Sequence, residues 1–157
     1  MGRLARARFR RAVTKALALA PRGFVWRDVL HLSGLSARLQ VEWRTRDIHP
    51  WDRDMPPGRR GELFRDQAVR DTEAAILRLF DLLPDIDAID VRVLEPHAPN
   101  RLILAGTVVR ADALAAQALS SPAMRLAMMG VRCRTTDGRL EPLDTAGDAA
   151  TRRSLAR

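Results

Sequence analysis

A chain of 157 residues, 46% of them hydrophobic and 29% charged, has the composition of one ordinary globular domain built around a single core. No apolar run approaches the ~18 residues that a membrane-spanning helix needs. The single cysteine, Cys133, excludes an intramolecular disulfide and suits a reducing compartment, so we expect a cytoplasmic protein.

The positive charge is concentrated at the N terminus. The formal net charge is +8, and the chain up to Arg27 contains eight basic residues and no acid, the first being Asp28. The rest of the sequence is therefore neutral. We predict a basic amphipathic arm over residues 1–27, a single α+β domain over 28–143 and a flexible C-terminal tail over 144–157.

The basic arm is predicted to form an amphipathic helix that Pro21 ends. Its apolar side is formed by Ala5, Phe9, Ala12, Val13, Ala16, Leu17 and Ala20. The predicted polyanion-binding residues on the rest of its surface are Arg3, Arg6, Arg8, Arg10, Arg11 and Lys15. This charge exceeds what solubility needs, which favours an anionic partner: nucleic acid, an anionic membrane surface or an acidic protein patch. A cleaved organelle-targeting peptide is a further alternative.

The first half of the domain is predicted to contain one strand and one long helix. Leu39, Val41 and Trp43 alternate with polar residues, as in a strand with one buried face. The proline-containing segment 47–58 is predicted to be a loop. A helical stripe of apolar residues then extends from about Arg59 to Leu83, and Pro84 ends it.

The second half is predicted to add three strands and a broken helix. The elements are a strand over 86–93, a turn over 96–100, a strand over 101–109, a helix over 111–119, a helix restarting at Ser121-Pro122, and a strand over 131–136 that turns at Asp137-Gly138. The order β-α-β-β-α-β is that of a split βαβ, or ferredoxin-like, fold. We therefore expect a four-stranded antiparallel sheet with helices on one face, the other face being open to a ligand, a protein partner, a second copy or the basic arm.

Several kinds of catalytic and cofactor site are excluded by their motifs. The sequence has no GxxxxGK[ST] or GxGxxG loop and no HExxH, and one cysteine cannot build a zinc ribbon. The strand over 101–109 lacks the aromatic pair that RNA-recognition sheets use for stacking. We predict no cofactor, and we expect Cys133 to be a buried strand residue.

One constellation suggests an alternative, metal-dependent chemistry. Glu42, His49, Asp52 and Asp54, with Asp47 between them, could hold magnesium or manganese and activate a water for a hydrolase or nuclease. The other interpretation is that neighbouring arginines neutralise these acids in a solvated loop. Nuclease sites usually add a lysine, and the only lysine here is Lys15.

Two tryptophans and two histidines complete the set of candidate residues. Trp43 and Trp51 are amphipathic anchors that either pack locally or mark a partner interface. His97 is expected to be a turn residue, and His31 a packed one. Together these features favour a non-catalytic binding or adaptor module, with the metal-dependent hydrolase as the alternative and a peripheral membrane-surface protein as the third interpretation.

A family resemblance is also present in the second half. The runs Ile89-Asp90-Val91 and Leu102–Val108, a helix, and Gly130-Val131 resemble the strand, "GTV" strand, helix, "GV" layout of BON domains. The resemblance covers under half of the chain. The segment between Thr107 and Gly130 is longer than that layout has, so no family is assigned on this basis.

Overall fold

The computed structural model contains both strands and helices, and it describes residue 11, the backbone of residues 25–27, and residues 38–98 and 100–144. The strands within these residues are β1 (Val25–Arg27), β2 (Arg38–Arg44), β3 (Ala88–Leu94), β4 (Leu102–Val109), β5 (Val131–Thr136) and β6 (Arg139–Glu141). The α-helices are α1 (Pro57–Leu82), α2 (Arg110–Ala116) and α3 (Pro122–Met128), and a short 3₁₀ helix covers Pro50–Asp52. The predicted α+β class is confirmed.

The strands form one mixed sheet in the order β1-β2-β3-β4-β5-β6. β2 runs parallel to β3, with Leu39 opposite Ile89 and Trp43 opposite Val93, and every other neighbouring pair is antiparallel. The predicted ferredoxin-like sheet of four antiparallel strands is therefore wrong. The 26-residue helix α1 returns the chain to the end of the sheet at which β2 begins. Because β3 then starts at that same end, the two strands are parallel.

The main core lies between one face of the sheet and the three helices. Alternate residues of β2 and β3 are buried on this face, as the period of two predicted for β2 requires. The helices contribute residues such as Ile76, Phe80, Leu126 and Met129 to the same cluster. A smaller cluster of Leu94, Leu102, Ala105 and Leu143 lies apart from it.

The C-terminal end of α1 is closed by one arginine. The Arg110 guanidinium donates hydrogen bonds to the carbonyls of Phe80 (3.0 Å), Leu83 (2.7 Å) and Ile86 (2.7 Å), and it lies 4.7 Å from the centre of the Phe80 ring. The Phe80 carbonyl is in the last turn of the helix, where carbonyls have no partner within the helix, and a cation is favourable at the negative end of the helix dipole. Arg110 therefore fixes the turn between α1 and β3 against the start of α2.

Two glycines permit the close approach of β4 and the chain that enters β5. A Cβ on Gly106 would lie 2.1 Å from the carbonyl oxygen of Gly130, whose φ of +89° is in the left-handed region.

The predicted turn between β5 and β6 is also present. Asp137 and Gly138 have φ values of 49° and 77°, as a tight two-residue hairpin turn needs.

Much of the predicted arm and tail lies outside the described residues. Arg11 has helical conformation and is exposed, and the last three residues of the predicted arm form β1 of the sheet. Residues 145–157 of the predicted tail are not among those described. Within the described part of the chain, the helices are too short or too polar to cross a membrane.

Candidate functional site

The loop of residues 45–56, here called the Trp51 loop, is held to the body of the domain from two sides. At its start the Thr45 N–H donates to the Leu94 carbonyl at 3.0 Å, which ties it to β3. From α1, the Gln67 amide donates to the carbonyls of Arg46 (3.1 Å) and Asp47 (3.3 Å). The Arg46 guanidinium also pairs with Asp71 of α1 at 2.7 Å. The loop therefore has a defined backbone path.

Asp47 is the polar centre of the Trp51 loop. Its carboxylate accepts a hydrogen bond from the Ile48 N–H at 2.8 Å, lies 2.8 Å from Nε2 of His97 in the β3–β4 turn, and is 3.8 Å from the Arg53 guanidinium. The hydrogen bond from His97 is the main cause that lowers the pKa of Asp47, which the Ile48 N–H and Arg53 lower further. Asp47 thus joins two loops that are far apart in sequence.

Trp51 is presented at the surface of this held loop. It lies in the 3₁₀ helix, where Nδ1 of His49 accepts a hydrogen bond from its backbone N–H at 3.3 Å. The His49 ring meets the indole edge-on, with 5.4 Å between ring centres. Even so, 88% of Trp51 is exposed. Exposed tryptophan is typical of contact surfaces, because burying its large apolar ring against a partner is strongly favourable in free energy.

Trp43, the other predicted interface residue, lies in the core. It is 1% exposed on β2, opposite Val93. Of the two alternatives for Trp43, local packing is therefore the one observed, because its buried side chain cannot contact a partner. The two tryptophans are thus not brought together on one surface.

The four candidate metal ligands do not converge. Glu42 lies on β2 and accepts a hydrogen bond from Arg92 at 3.0 Å, and Nδ1 of His49 is occupied by the Trp51 N–H. Across residues 38–98 and 100–144, no three His, Cys, Asp or Glu side chains are grouped as metal ligands would be. Asp52 is half-buried in the Trp51 loop, and Asp54 is exposed there.

The sheet face opposite the main core carries a polar network that the sequence analysis missed. Arg38 donates from Nε and Nη2 to the two oxygens of Asp90, both at 2.6 Å, and the Thr107 hydroxyl donates to Asp90 at 2.6 Å. The hydrogen bond to Asp90 is the main cause that raises the pKa of Arg38. Asp90 lies opposite Thr107 of β4, and Arg38 lies diagonally across from it on β2, two positions before Gln40, which is opposite Asp90. Only the strand register could therefore have revealed the group. The predicted open face is therefore internally paired at this point.

Cys133 lies on β5 as predicted, but it is exposed rather than buried. The prediction of a buried residue is wrong because β5 is covered only at its first residue, Val131. Partial withdrawal from solvent nevertheless raises the pKa of the thiol, while nearby Arg65 acts in the opposite direction. A thiol with a raised pKa is poorly suited to nucleophilic attack.

The predicted polyanion-binding residues lie outside the described part of the chain, except for Arg11. A second feature that sequence reasoning missed is a set of exposed apolar side chains on α2 and α3, formed by Leu114, Met124 and Met128. Alternation and helical stripes identify buried faces, but they do not single out apolar residues that remain in solvent.

Comparison with known proteins adds no relative: no family model matches the chain, and no curated protein or solved structure is significantly similar to it.

Proposed function

We propose that this protein is a non-catalytic binding or adaptor module that contacts a protein partner through the Trp51 loop. Its basic N-terminal helix docks on nucleic acid or another polyanion. The observation that carries the proposal is Trp51 itself, a tryptophan that is 88% exposed on a loop tied by hydrogen bonds to β3, α1 and the β3–β4 turn.

The physical case depends on both the exposure and the restraint. Tryptophan is among the residues whose truncation most often costs about 2 kcal/mol or more at an interface. A loop that already has its bound conformation loses little entropy on binding, so more of the contact energy remains as affinity. The polar groups around Trp51, including Asp52, Arg53 and Asp54, would form the rim around an apolar contact.

The test is capture of binding proteins by the full-length chain, compared among three forms. Trp51→Ala removes the proposed contact, and Arg78→Ala changes an exposed residue on α1 that is not part of the Trp51 loop. Quantitative mass spectrometry should find at least one protein whose recovery falls about 30-fold with Trp51→Ala, as a loss of about 2 kcal/mol implies, and is retained with Arg78→Ala. The same proteins in equal amounts from all three forms would refute the proposal.

A further inference from the structure

Three apolar side chains remain in solvent around Arg110, at the end of the sheet where β3 begins. They are Leu82 at the end of α1, Val109 at the end of β4 and Leu114 on α2, with exposed fractions of 40%, 42% and 68%. Grouped apolar side chains in solvent are typical of interaction sites, because a partner gains free energy by covering them. Together with the exposed acids Asp81, Asp85, Asp87 and Asp112 they form the surface here called the Arg110 surface.

Arg110 holds the parts of this surface together. Its guanidinium donates to the carbonyl of Leu83, the residue that follows α1, at 2.7 Å, and its backbone N–H donates to the Asp87 carbonyl at 2.8 Å. Val109 directly precedes Arg110 in the chain. Leu114 follows Arg110 by four positions, so the two lie on the same side of α2. The apolar side chains therefore surround one residue, on a backbone that is fixed before a partner binds.

The charge of the Arg110 surface is negative when its cations are included. Its four carboxylates are accompanied by two cations, Arg78 one turn earlier on α1 and Arg110 itself, so the local net charge is −2. The Arg110 guanidinium is also engaged by four backbone carbonyls. The next charges along the sheet, Arg38 and Asp90, form a pair and add nothing to the total. The surface thus combines exposed apolar side chains with negative charge.

Most other acids of the domain have an arginine or histidine partner, and three acids of this surface do not. Within residues 38–98 and 100–144, Asp81, Asp85 and Asp112 are in no ion pair. In the same residues, ion pairs are formed by Glu42, Asp47, Glu62, Asp66, Asp71, Glu73, Asp90, Glu95 and Asp144. Opposite charges on two surfaces favour their encounter and fix their relative orientation. The Arg110 surface is therefore complementary to a partner that carries cations.

The Arg110 surface and the Trp51 loop lie at opposite ends of the sheet. β3 extends from Ala88, which is opposite Val109, to Leu94, whose carbonyl accepts the Thr45 N–H at the start of the Trp51 loop. The seven residues of β3 span about 20 Å. One partner at each end can therefore be bound without the two competing for the same residues.

We propose that the Arg110 surface is a second docking surface, and that its partner is a basic amphipathic helix of another protein. A helix presents apolar and basic side chains on adjacent stripes, which suits a surface that has exposed apolar side chains and carboxylates side by side. Its apolar stripe would cover Leu82, Val109 and Leu114, and its lysines or arginines would pair with the acids. The negative charge disfavours nucleic acid and anionic lipid here. The proposal goes beyond the proposed function, because it uses no residue of the Trp51 loop.

The test is fluorescence anisotropy of a labelled peptide titrated with the full-length chain. The peptide has about 18 residues, enough for a helix, and contains leucine and lysine placed so that the leucines form one side. Leu114→Ser should weaken binding about tenfold, because it removes the most exposed of the three apolar side chains. An Asp81→Asn, Asp85→Asn variant should weaken it about fivefold, because two exposed ion pairs with the peptide are lost.

Matched controls lie on the Trp51 loop. An Asp52→Asn, Asp54→Asn variant removes the same number of charges away from the Arg110 surface, and Trp51→Ala removes an exposed apolar side chain. Both should bind the peptide as the wild type does. Two altered peptides should each bind at least about fivefold more weakly. One has glutamine in place of every lysine, and the other has the same composition in a shuffled order that forms no apolar side.

The proposal would be overturned if the peptide did not bind, or if Leu114→Ser and the Asp81→Asn, Asp85→Asn variant bound it as tightly as the wild type. Loss of binding with Trp51→Ala would place the peptide on the Trp51 loop instead. Sedimentation of the wild type as a dimer that Leu114→Ser converts to a monomer would assign the surface to a second copy. A peptide with the sequence of residues 3–20 that bound about tenfold more tightly, and that Leu114→Ser also weakened, would assign it to the chain's own basic segment.

Discussion

Two tryptophans eight positions apart have opposite environments in this protein. Trp43 is 1% exposed in the middle of a packed sheet, whereas Trp51 is 88% exposed on the loop that follows the same strand. β2 is held by strands on both sides and by an apolar core, while the Trp51 loop is held by hydrogen bonds and ion pairs at its edges. Packing of a whole sheet face against the core buries Trp43. Hydrogen bonds and ion pairs hold the backbone of the Trp51 loop in place, but they leave the Trp51 side chain exposed to solvent.

The largest difference is expected between truncations of these two residues. Trp43→Ala would leave a cavity in the core and should lower the free energy of unfolding by about 3–5 kcal/mol. Trp51→Ala removes a ring that is mostly in water and should change it by about 0.5 kcal/mol or less. Chemical denaturation of both variants measures the contrast. Similar losses at the two positions would mean that the Trp51 ring is also part of the folded core.

The same contrast should recur on the two sides of α1. Phe80 is 4% exposed and packs in the core, so Phe80→Ala is expected to cost about 3–5 kcal/mol. Arg78 is exposed on the opposite side, and Arg78→Ala should change stability by about 0.5 kcal/mol or less. Denaturant midpoints that fall equally for the two variants would contradict the assigned face of the helix.

The parts of the fold that sequence predicted well are those with a strong local period. Alternation at Leu39, Val41 and Trp43 marks β2, and the apolar stripe ending near Leu83 marks α1, which the structure places at Pro57–Leu82. The strands on either side of the turn over 96–100 pair as the predicted hairpin. The turn at Asp137-Gly138 was readable because few residues accept positive φ.

The local patterns of the sequence did not predict which strands pair or which side chains bond to each other. Nothing in β2 or β3 alone says that they lie side by side in parallel, and β1 is only three residues long. The bond between Asp47 and His97 joins positions 50 apart, so the anchoring of the Trp51 loop emerges only from the tertiary structure. The sequence identified Trp51 as a candidate interface residue, but only the structure shows that its side chain is exposed.

A smaller effect is expected where the backbone of the packed region is closest. Gly106→Ala would place a Cβ 2.1 Å from the Gly130 carbonyl oxygen and 2.8 Å from the Val131 Cα, so β4 and β5 must separate. We expect a loss of about 1–3 kcal/mol by chemical denaturation. Gly58→Ala is the matched control, because a Cβ there has no neighbour within 4 Å and alanine favours the helix. Equal behaviour of the two variants would exclude the close approach.

The smallest effect belongs to the Trp51 loop and depends on pH. The pKa of Asp47 is lowered from the ordinary 3.8, so its ionised form stabilises the fold above that pH, and this contribution is lost as the pH falls through the lowered value. Because the partners are largely exposed, Asp47→Asn should cost only about 0.2–1 kcal/mol near pH 6 and almost nothing near pH 2. Urea denaturation at both pH values measures it. A cost that grows on acidification, or that exposed Asp54→Asn reproduces, would show that the contacts of Asp47 are not responsible.

The claim that Trp51 is a binding surface is tested most directly by site-specific crosslinking in cells. A photoreactive phenylalanine analogue would replace Trp51 in one full-length form and Arg78 in another. Both positions are exposed, and neither replacement is expected to disturb the core. The account predicts a discrete crosslinked protein from position 51 that is absent from position 78. The same crosslinked products from both positions, or none from position 51, would contradict it.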